Sequence, residues 1–302
     1  NKKGEIMNEA QYNWEVHESP VFTTDSNGQN VKIKNYKALT RSDDDKLLGV
    51  VGQAYKPMPN HIFADLVNEL ANDTPCELKN YGEHDNGKRL YAKLTHPNMR
   101  DFKMTEVGDE VASSIVLSNG HAGSSAFRMF IEYMRLVCLN GLTVPVKSNL
   151  IYARHTKNME HTIGDITTGI DYILSSHEEN KVAMRKLTID LPKGFSVDGW
   201  FSNFFNYEKK ARPIKTKGEF GQFVTTGWTK PKYSTKAFNN LNDLANAYIH
   251  SAAVGTYWGI LNAVTYYVDH MQSNKPQGYS ELGNGNVVKM KAYHNLCRLA
   301  QA

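Results

Sequence analysis

The chain has 302 residues, of which 40% are hydrophobic and 22% are charged, and its formal net charge is +4. These values are typical of a globular protein with one large domain or two ordinary ones, and they exclude a chain that is disordered throughout. Because no run of about eighteen apolar residues occurs and residues 1–13 are polar, we expect neither a membrane span nor a signal peptide.

The first elements along the chain are predicted to be a hairpin, a strand and a helix. Two β-prone runs, 21–24 and 31–36, flank a turn-forming segment at 25–28 and predict the hairpin. The apolar run at 47–55 is long enough for one buried strand. Apolar residues then recur at helical spacing over 62–70, which predicts a short helix with one apolar face.

More strands are predicted to follow this helix. The runs 77–81 and 89–94 flank an Asn-Gly turn and predict a second hairpin, and the runs 111–117 and 126–139 continue the β pattern. We therefore predict an α+β fold in which an antiparallel meander sheet is backed by a helix, and we assign it to a first domain at residues 1–155.

The remaining chain is predicted to be a mainly helical domain at residues 156–302. Gly255 is expected to kink or divide the longest helical segment, since glycine disfavours a helix interior. The predicted helices occupy 163–187, 197–207, 236–270 and 288–299.

Positive charge is concentrated in residues 207–238, where eight Lys or Arg and two Glu give a local charge of +6, so the rest of the chain sums to −2. The same stretch holds six aromatic residues, and its glycines predict a flexible loop. Cations displace counterions from phosphates and aromatic rings stack on unpaired bases, so this loop is a candidate nucleic-acid contact. The alternative is a solvated basic loop whose aromatic residues pack into the core. The predicted contacts are Lys209, Lys210, Arg212, Lys215, Lys217, Trp228, Lys230, Lys232, Tyr233 and Lys236, with Arg154 and His155 at the junction of the two halves.

Short segments in collinear order carry a family resemblance. They are WEV at 14–16, RSD at 41–43, LGVVG at 48–52 with Tyr55, GKR at 87–89, SNGHAGS at 118–124, RLVCLN at 135–140, RH at 154–155, GTYWG at 255–259 and NAVTYYVDH at 262–270. Together they resemble the domain of unknown function family 932, also called the phage/plasmid-like protein family. The resemblance implies a cytoplasmic accessory protein of a bacteriophage, plasmid or other mobile element, and it implies no particular reaction.

Two positions depart from the pattern of that family. The family usually has His-Asp-Gly where this chain has His121, Ala122 and Gly123, and it usually has an acidic residue where this chain has Tyr266 after Thr265. If either carboxylate is catalytic in relatives, this chain lacks it. The first half also looks like the core of phage single-strand annealing proteins, the Erf- and RecT-like recombinases, at the level of the fold alone.

The sequence contains no recognisable catalytic or cofactor-binding motif. The patterns HExxH, CxxC, GxSxG and GxxxxGK[ST] are all absent, so we predict no catalytic residue, metal or cofactor, although enzymatic activity stays open. The acidic run at 43–45 is more typical of a solvated turn than of a metal site. The three cysteines are far apart, which favours a reducing cytoplasm.

These observations leave three hypotheses about function. The first is a protein that binds nucleic acid without catalysis, with single-stranded DNA as the expected ligand and strand annealing in recombination as an associated role. The second is an interaction module that antagonises a host defence or replication complex. The third is an enzyme that acts on nucleic acid with a divalent metal. Assembly into a homo-oligomer is compatible with the first hypothesis.

Overall fold

The computed structural model describes residues 13–104, 109–123, 126–136, 140–145, 152–159, 169–208, 211–217, 222–229, 236–247, 253–272 and 283–301. The described residues up to Lys103 and those from Asp109 to Val182 belong to one compact unit. Those that follow Val182 belong mostly to a second compact unit, which resumes at Val287. The predicted domain boundary between residues 155 and 156 stays a prediction.

The first unit begins with a three-stranded antiparallel sheet in the order β1-β2-β3. Its turn follows from Asp25, whose carboxylate accepts hydrogen bonds from the backbone N–H groups of Asn27 and Gln29 at 2.9 and 2.8 Å. This turn confirms the first predicted hairpin, and β3 confirms the predicted strand. The strands are β1 (Val16–Thr24), β2 (Asn30–Arg41) and β3 (Leu47–Gly52).

A seven-stranded antiparallel sheet forms the rest of the β structure of this unit. Its strands are β4 (Glu77–His84), β5 (Arg89–Thr95), β6 (Phe102–Lys103), β7 (Glu110–Gly120), β8 (Phe127–Arg135), β9 (Asn140–Pro145) and β10 (Tyr152–Ala153). The order is β10-β8-β7-β5-β4, while β6 pairs with β7 and β9 pairs with β8. Strands that follow one another along the chain are mostly neighbours, which confirms the predicted meander and the α+β class.

Two helices, α1 (Asn60–Asp73) and α2 (Gly169–Lys186), contribute side chains to the core of this unit. Phe63 of α1 meets Phe127 edge to face, with ring centroids 6.5 Å apart, and both side chains are fully buried. His177 of α2 stacks on Tyr133, with ring centroids 5.7 Å apart. Each large apolar side chain buried in this way stabilises the fold by about 1.5–3 kcal/mol. Phe127 and Tyr133 lie on the same face of β8, and Arg128 and Glu132 lie on the opposite face.

The second half is mainly helical, as predicted. The Oγ of Ser196 accepts a hydrogen bond from the N–H of Gly199 at 3.0 Å and so caps the first of these helices. The predicted helical segment 236–270 contains two described helices, of which one ends at Ala245 and the other begins at Tyr257, and Gly255, with φ +78°, lies just before the second. The helices are α3 (Val197–Phe204), α4 (Lys236–Ala245), α5 (Tyr257–Tyr266), which continues into a π-helical turn (Tyr267–Met271), and α6 (Asn284–Leu299). No helix in the part of the chain that the structure describes is long and apolar enough to cross a bilayer.

Candidate nucleic-acid interface

The structure corrects the predicted loop at 207–238, because part of this stretch is a two-stranded antiparallel hairpin. Its strands are β11 (Pro213–Lys217) and β12 (Phe223–Trp228). The β-prone residues Ile214, Val224 and Thr225 favour strands, and the lysines and glycines between them conceal this preference in the sequence. The stretch therefore has a fixed backbone over these residues, with a defined side for each side chain.

The register of this hairpin brings two lysines and two aromatic residues to one face. Lys217 is paired with Phe223, and Pro213 is paired with Trp228. Residues paired across an antiparallel ladder share a face, as do alternate residues along one strand. Lys215 and Lys217 therefore share a face with both Phe223 and Trp228. We call these four residues the hairpin face.

A β-bulge makes this arrangement possible. Ile214 is paired with Gly227 and Lys215 with Thr225, so the intervening Thr226 has no partner in the register. In a regular strand, residues five positions apart, such as 223 and 228, would lie on opposite faces. The extra residue reverses the alternation, and Trp228 consequently lies on the same side as Phe223.

Both aromatic side chains of the hairpin face are open to solvent. Phe223 is 71% exposed and Trp228 is 67% exposed. Their partners in the ladder, Lys217 and Pro213, are four positions apart along β11, which corresponds to about 13 Å at a strand rise of about 3.3 Å per residue. A large exposed aromatic residue costs solvation free energy, and an isolated two-stranded hairpin is only marginally stable in water. This exposure is typical of a surface that receives a ligand or partner.

The other predicted contacts in this stretch divide into three groups. Arg212 is exposed, and its backbone N–H donates a hydrogen bond to the Oγ1 of Thr229 at 2.9 Å. Because side chains alternate along a strand, the Arg212 side chain lies on the side opposite Pro213 and therefore opposite the hairpin face. Lys236 is exposed at the start of α4. The remaining predicted contacts, Lys209, Lys210, Lys230, Lys232 and Tyr233, lie outside the described residues.

Two aromatic residues at the ends of the stretch belong to the core instead. Phe238 is 4% exposed, and its ring meets that of Tyr207 edge to face at 5.7 Å. Burial raises the pKa of the Tyr207 phenol, and the nearby Tyr267 phenol raises it further. Phe238 is therefore a core residue and Tyr207 is half-buried against it, while Phe223 and Trp228 are exposed.

Arg154 and His155 lie in the first unit, beside a pocket of about 380 Å³. Arg154 is exposed, whereas His155 is 5% exposed and its ring lies 4.9 Å from that of Tyr55. His155 therefore forms part of the pocket wall and is not a surface contact. Arg135, seven residues from Arg128 on the same strand, lies on the opposite face and is buried in an ion pair with Asp109.

Several segments that carry the family resemblance meet within this unit. The guanidinium carbon of Arg41 lies 4.2 Å from the ring centroid of Trp14, and the same guanidinium pairs with Asp43 at 2.7 Å and with Glu83 at 2.8 Å. The acidic run at 43–45 thus supplies a partner for an arginine. Gly87 has φ +86°, and a Cβ at this position would lie 2.7 Å from the Trp14 ring, so only glycine fits here without strain.

His121, from the same set of segments, is fully buried. Its Nε2 lies 2.9 Å from the Oδ1 of Asn60, which requires that Nε2 carries the proton and donates it. Burial, followed by the charges of His155 and Arg41, lowers the pKa of His121 from 6.5 to about 3. The imidazole is therefore neutral at physiological pH. Within the described residues, no group of three or more His, Cys, Asp or Glu side chains is placed to hold a metal ion.

The comparison with protein families covers all of these segments except those at 14–16 and 41–43. The family model for a domain of unknown function, DUF932, matches residues 47–293, which is most of the chain. The chain belongs to the DUF932 family. No curated protein and no solved structure matches it. The resemblance read from the sequence is therefore confirmed at the level of the family.

Two positions of this DUF932 protein depart from the pattern expected for the family, and both are occupied by packing groups. A Cβ added to Gly49 would lie 2.9 Å from the Cα of Ala122, so the two backbones are in close contact there. The ring of Tyr266 lies 4.6 Å from that of His270. Neither position carries a carboxylate that could serve as an acid, a base or a metal ligand.

Proposed function

We propose that this DUF932 protein binds single-stranded nucleic acid, with DNA as the expected ligand, through the hairpin face. The observation that carries the proposal is the bulge at Thr226, which puts two cations and two exposed aromatic rings on one side of the hairpin. Single-strand binding uses this combination, because cations contact the phosphates while flat rings stack on the bases.

The expected contributions are large enough for measurable binding. Stacking of a base on an aromatic side chain contributes about 1–3 kcal/mol, so Phe223 and Trp228 together supply about 2–6 kcal/mol. Lys215 and Lys217 each neutralise a phosphate and release a counterion, which makes the affinity fall with salt. Duplex DNA buries its base faces in the stack, so it offers the lysines a phosphate chain and offers the aromatic rings no surface.

The role that fits such binding is that of a cytoplasmic accessory protein of a phage, plasmid or other mobile element. Binding without catalysis agrees with the packing groups at Ala122 and Tyr266, the two positions at which the family resemblance implies acids. Strand annealing during recombination would need several copies of the chain to hold one strand, so a homo-oligomer accompanies this part of the proposal.

The direct test is a binding titration of the full chain against single- and double-stranded DNA and RNA of equal length at low salt. We expect tighter binding to single strands than to duplexes, with the F223A/W228A variant weakened on single strands and little changed on duplexes. If single strands of DNA and RNA both fail to bind at low salt, the proposal is wrong. Incubation of the same substrates with magnesium or manganese tests for turnover, and we expect none.

A second candidate function uses the same exposed aromatic residues to bind a protein of a host defence or replication complex. Tryptophan is enriched among the residues that dominate protein interfaces, and Trp228 is 67% exposed. This candidate predicts a defined complex that survives nuclease treatment and is lost in W228A. If the material captured from host lysate disappears on nuclease treatment, binding of nucleic acid accounts for it.

A further inference from the structure

The first unit contains a pocket that the hairpin proposal does not involve. Its volume is about 380 Å³, within the range of sites that hold small ligands. Strands β8 and β10 and the segments after β3 and β10 contribute its wall. The lining side chains that matter for ligand chemistry are Arg128, Arg154, Tyr55, Tyr152 and Thr156.

Strand register brings a further arginine, Arg89, to the same sheet face as Arg128, which lines this pocket. Tyr152 is paired with Arg128, Arg128 is paired with Ser118, and Arg89 is paired with Gly120, two residues further along β7. Arg89, Arg128 and Tyr152 therefore share one face of the large sheet. This is the face opposite the one on which Phe127 and Tyr133 form the core.

These arginines differ in their partners from Arg41 and Arg135, two buried arginines of the same unit. Arg41 and Arg135 are held by carboxylates in ion pairs. Among the residues that the structure describes, Arg89, Arg128 and Arg154 form no ion pair with a carboxylate. Burial lowers the pKa of Arg89, repulsion by the Arg128 charge lowers it further, and Asp85 opposes both effects. Among the described residues that line the pocket, Arg128 and Arg154 are therefore cations and none is acidic, and Arg89 adds positive charge near Arg128.

We propose that this pocket binds the phosphate group of a nucleotide. Arginines recognise phosphate through two parallel N–H donors, and the Thr156 hydroxyl at the pocket wall can add another donor. The rings of Tyr55 and Tyr152 line the same pocket and offer flat surfaces to a base. The pocket volume suits one nucleotide rather than a long chain. The phosphate belongs either to a free nucleotide or to the 5′ end of a strand.

Calorimetric titration of the full chain with dAMP and with deoxyadenosine tests this inference. We expect binding of dAMP, binding at least about tenfold weaker for deoxyadenosine, and competition by inorganic phosphate. R154Q should weaken dAMP binding by about tenfold or more, because each arginine supplies a charge-assisted hydrogen bond. R128Q should do the same, and K157Q is the matched control, since Lys157 is an exposed cation three residues from Arg154 that does not line the pocket.

Two outcomes would overturn the inference. One is that the unmodified chain binds dAMP and deoxyadenosine with equal affinity. The other is that R154Q and R128Q bind dAMP as tightly as the unmodified chain does. Oligonucleotides with and without a 5′-phosphate distinguish the source of the phosphate when they are titrated into the F223A/W228A variant, in which the stacking contribution of the hairpin face is removed. Preference for the phosphorylated end identifies a strand terminus, and no preference identifies a free nucleotide. The inference does not rest on the proposed function of the hairpin, so either can fail alone.

Discussion

The bulge in the β11–β12 hairpin can be removed in two ways that have opposite consequences for the hairpin face. Insertion of one alanine between Ile214 and Lys215 gives Thr226 a partner and makes the ladder regular. Trp228 then moves to the side opposite Phe223, although no cation or aromatic residue is lost. Deletion of Thr226 also makes the ladder regular, but it leaves Trp228 on the original side. The two variants therefore separate the position of Trp228 from the presence of the bulge.

The expected loss in the insertion variant is one stacking contact. A stack of about 1–3 kcal/mol corresponds to an increase in Kd from about fivefold to about 140-fold, since about 1.4 kcal/mol is a factor of ten. Trp228 is 67% exposed, so moving its ring takes little from the core and the effect is on binding rather than on folding. Fluorescence anisotropy with a labelled single strand measures Kd for the insertion variant, the Thr226 deletion and W228A.

We expect the insertion variant to bind as weakly as W228A and the Thr226 deletion to bind like the unmodified chain. Circular dichroism and thermal unfolding of all three variants establish that each is folded before the affinities are compared. Equal affinity of the insertion and deletion variants would refute the reasoning, because it would mean that the side on which Trp228 lies has no effect on binding.

Further predictions concern the stability of the first unit. G87A should lower the free energy of unfolding by about 1–3 kcal/mol in urea titration, because φ is +86° and the added Cβ would lie 2.7 Å from the Trp14 ring. G28A is the control, since Gly28 has φ +80° but open space around it, and a loss as large as that of G87A would contradict the packing argument. Because the pKa of His121 is about 3 in the folded chain and 6.5 is its ordinary value, the unfolded chain binds the proton more readily. Titration of His121 therefore leaves the free energy of unfolding unchanged above about pH 6.5 and lowers it by about 1.4 kcal/mol per pH unit as the pH drops toward 3. The H121N variant should lose less stability than the unmodified chain over this pH range.

Much of the fold could be predicted from local patterns in the sequence. Asp25 and Gly28 specify the first turn, and Gly255, with a left-handed backbone, lies just before the helix that begins at Tyr257. The helix at α1 follows from its apolar spacing. These features are set by residues close together in the chain, which is why they are visible without a structure.

The candidate site could be predicted only in part, because its geometry depends on pairings that the sequence does not show. The charge of 207–238 is visible from composition, but Phe223 and Trp228 are five residues apart and regular alternation assigns them to opposite faces. Only the register reveals the bulge. Composition also cannot distinguish these exposed rings from those of Tyr207 and Phe238, which are packed together.

The arginine pocket was also beyond the reach of sequence patterns. Arg89 and Arg128 belong to strands β5 and β8, and Arg154 directly follows β10. Their proximity depends on strand pairing between distant parts of the chain, and the sequence carries no local signal of such pairing. Of the residues that line this pocket, the sequence predicted a nucleic-acid contact only for Arg154 and His155, and His155 is buried in the pocket wall.

The salt dependence of single-strand binding tests the central claim most directly. The affinity of the unmodified chain should fall steeply with salt, and K215Q/K217Q should reduce the slope of log K against log salt concentration by about 1.4, at about 0.7 for each phosphate contact on a single strand. F223A/W228A should weaken binding without a change in slope, and K186Q/K193Q, which removes two exposed lysines outside the hairpin, should leave both slope and affinity unchanged. An unchanged slope in K215Q/K217Q, or no binding at low salt, would contradict the account.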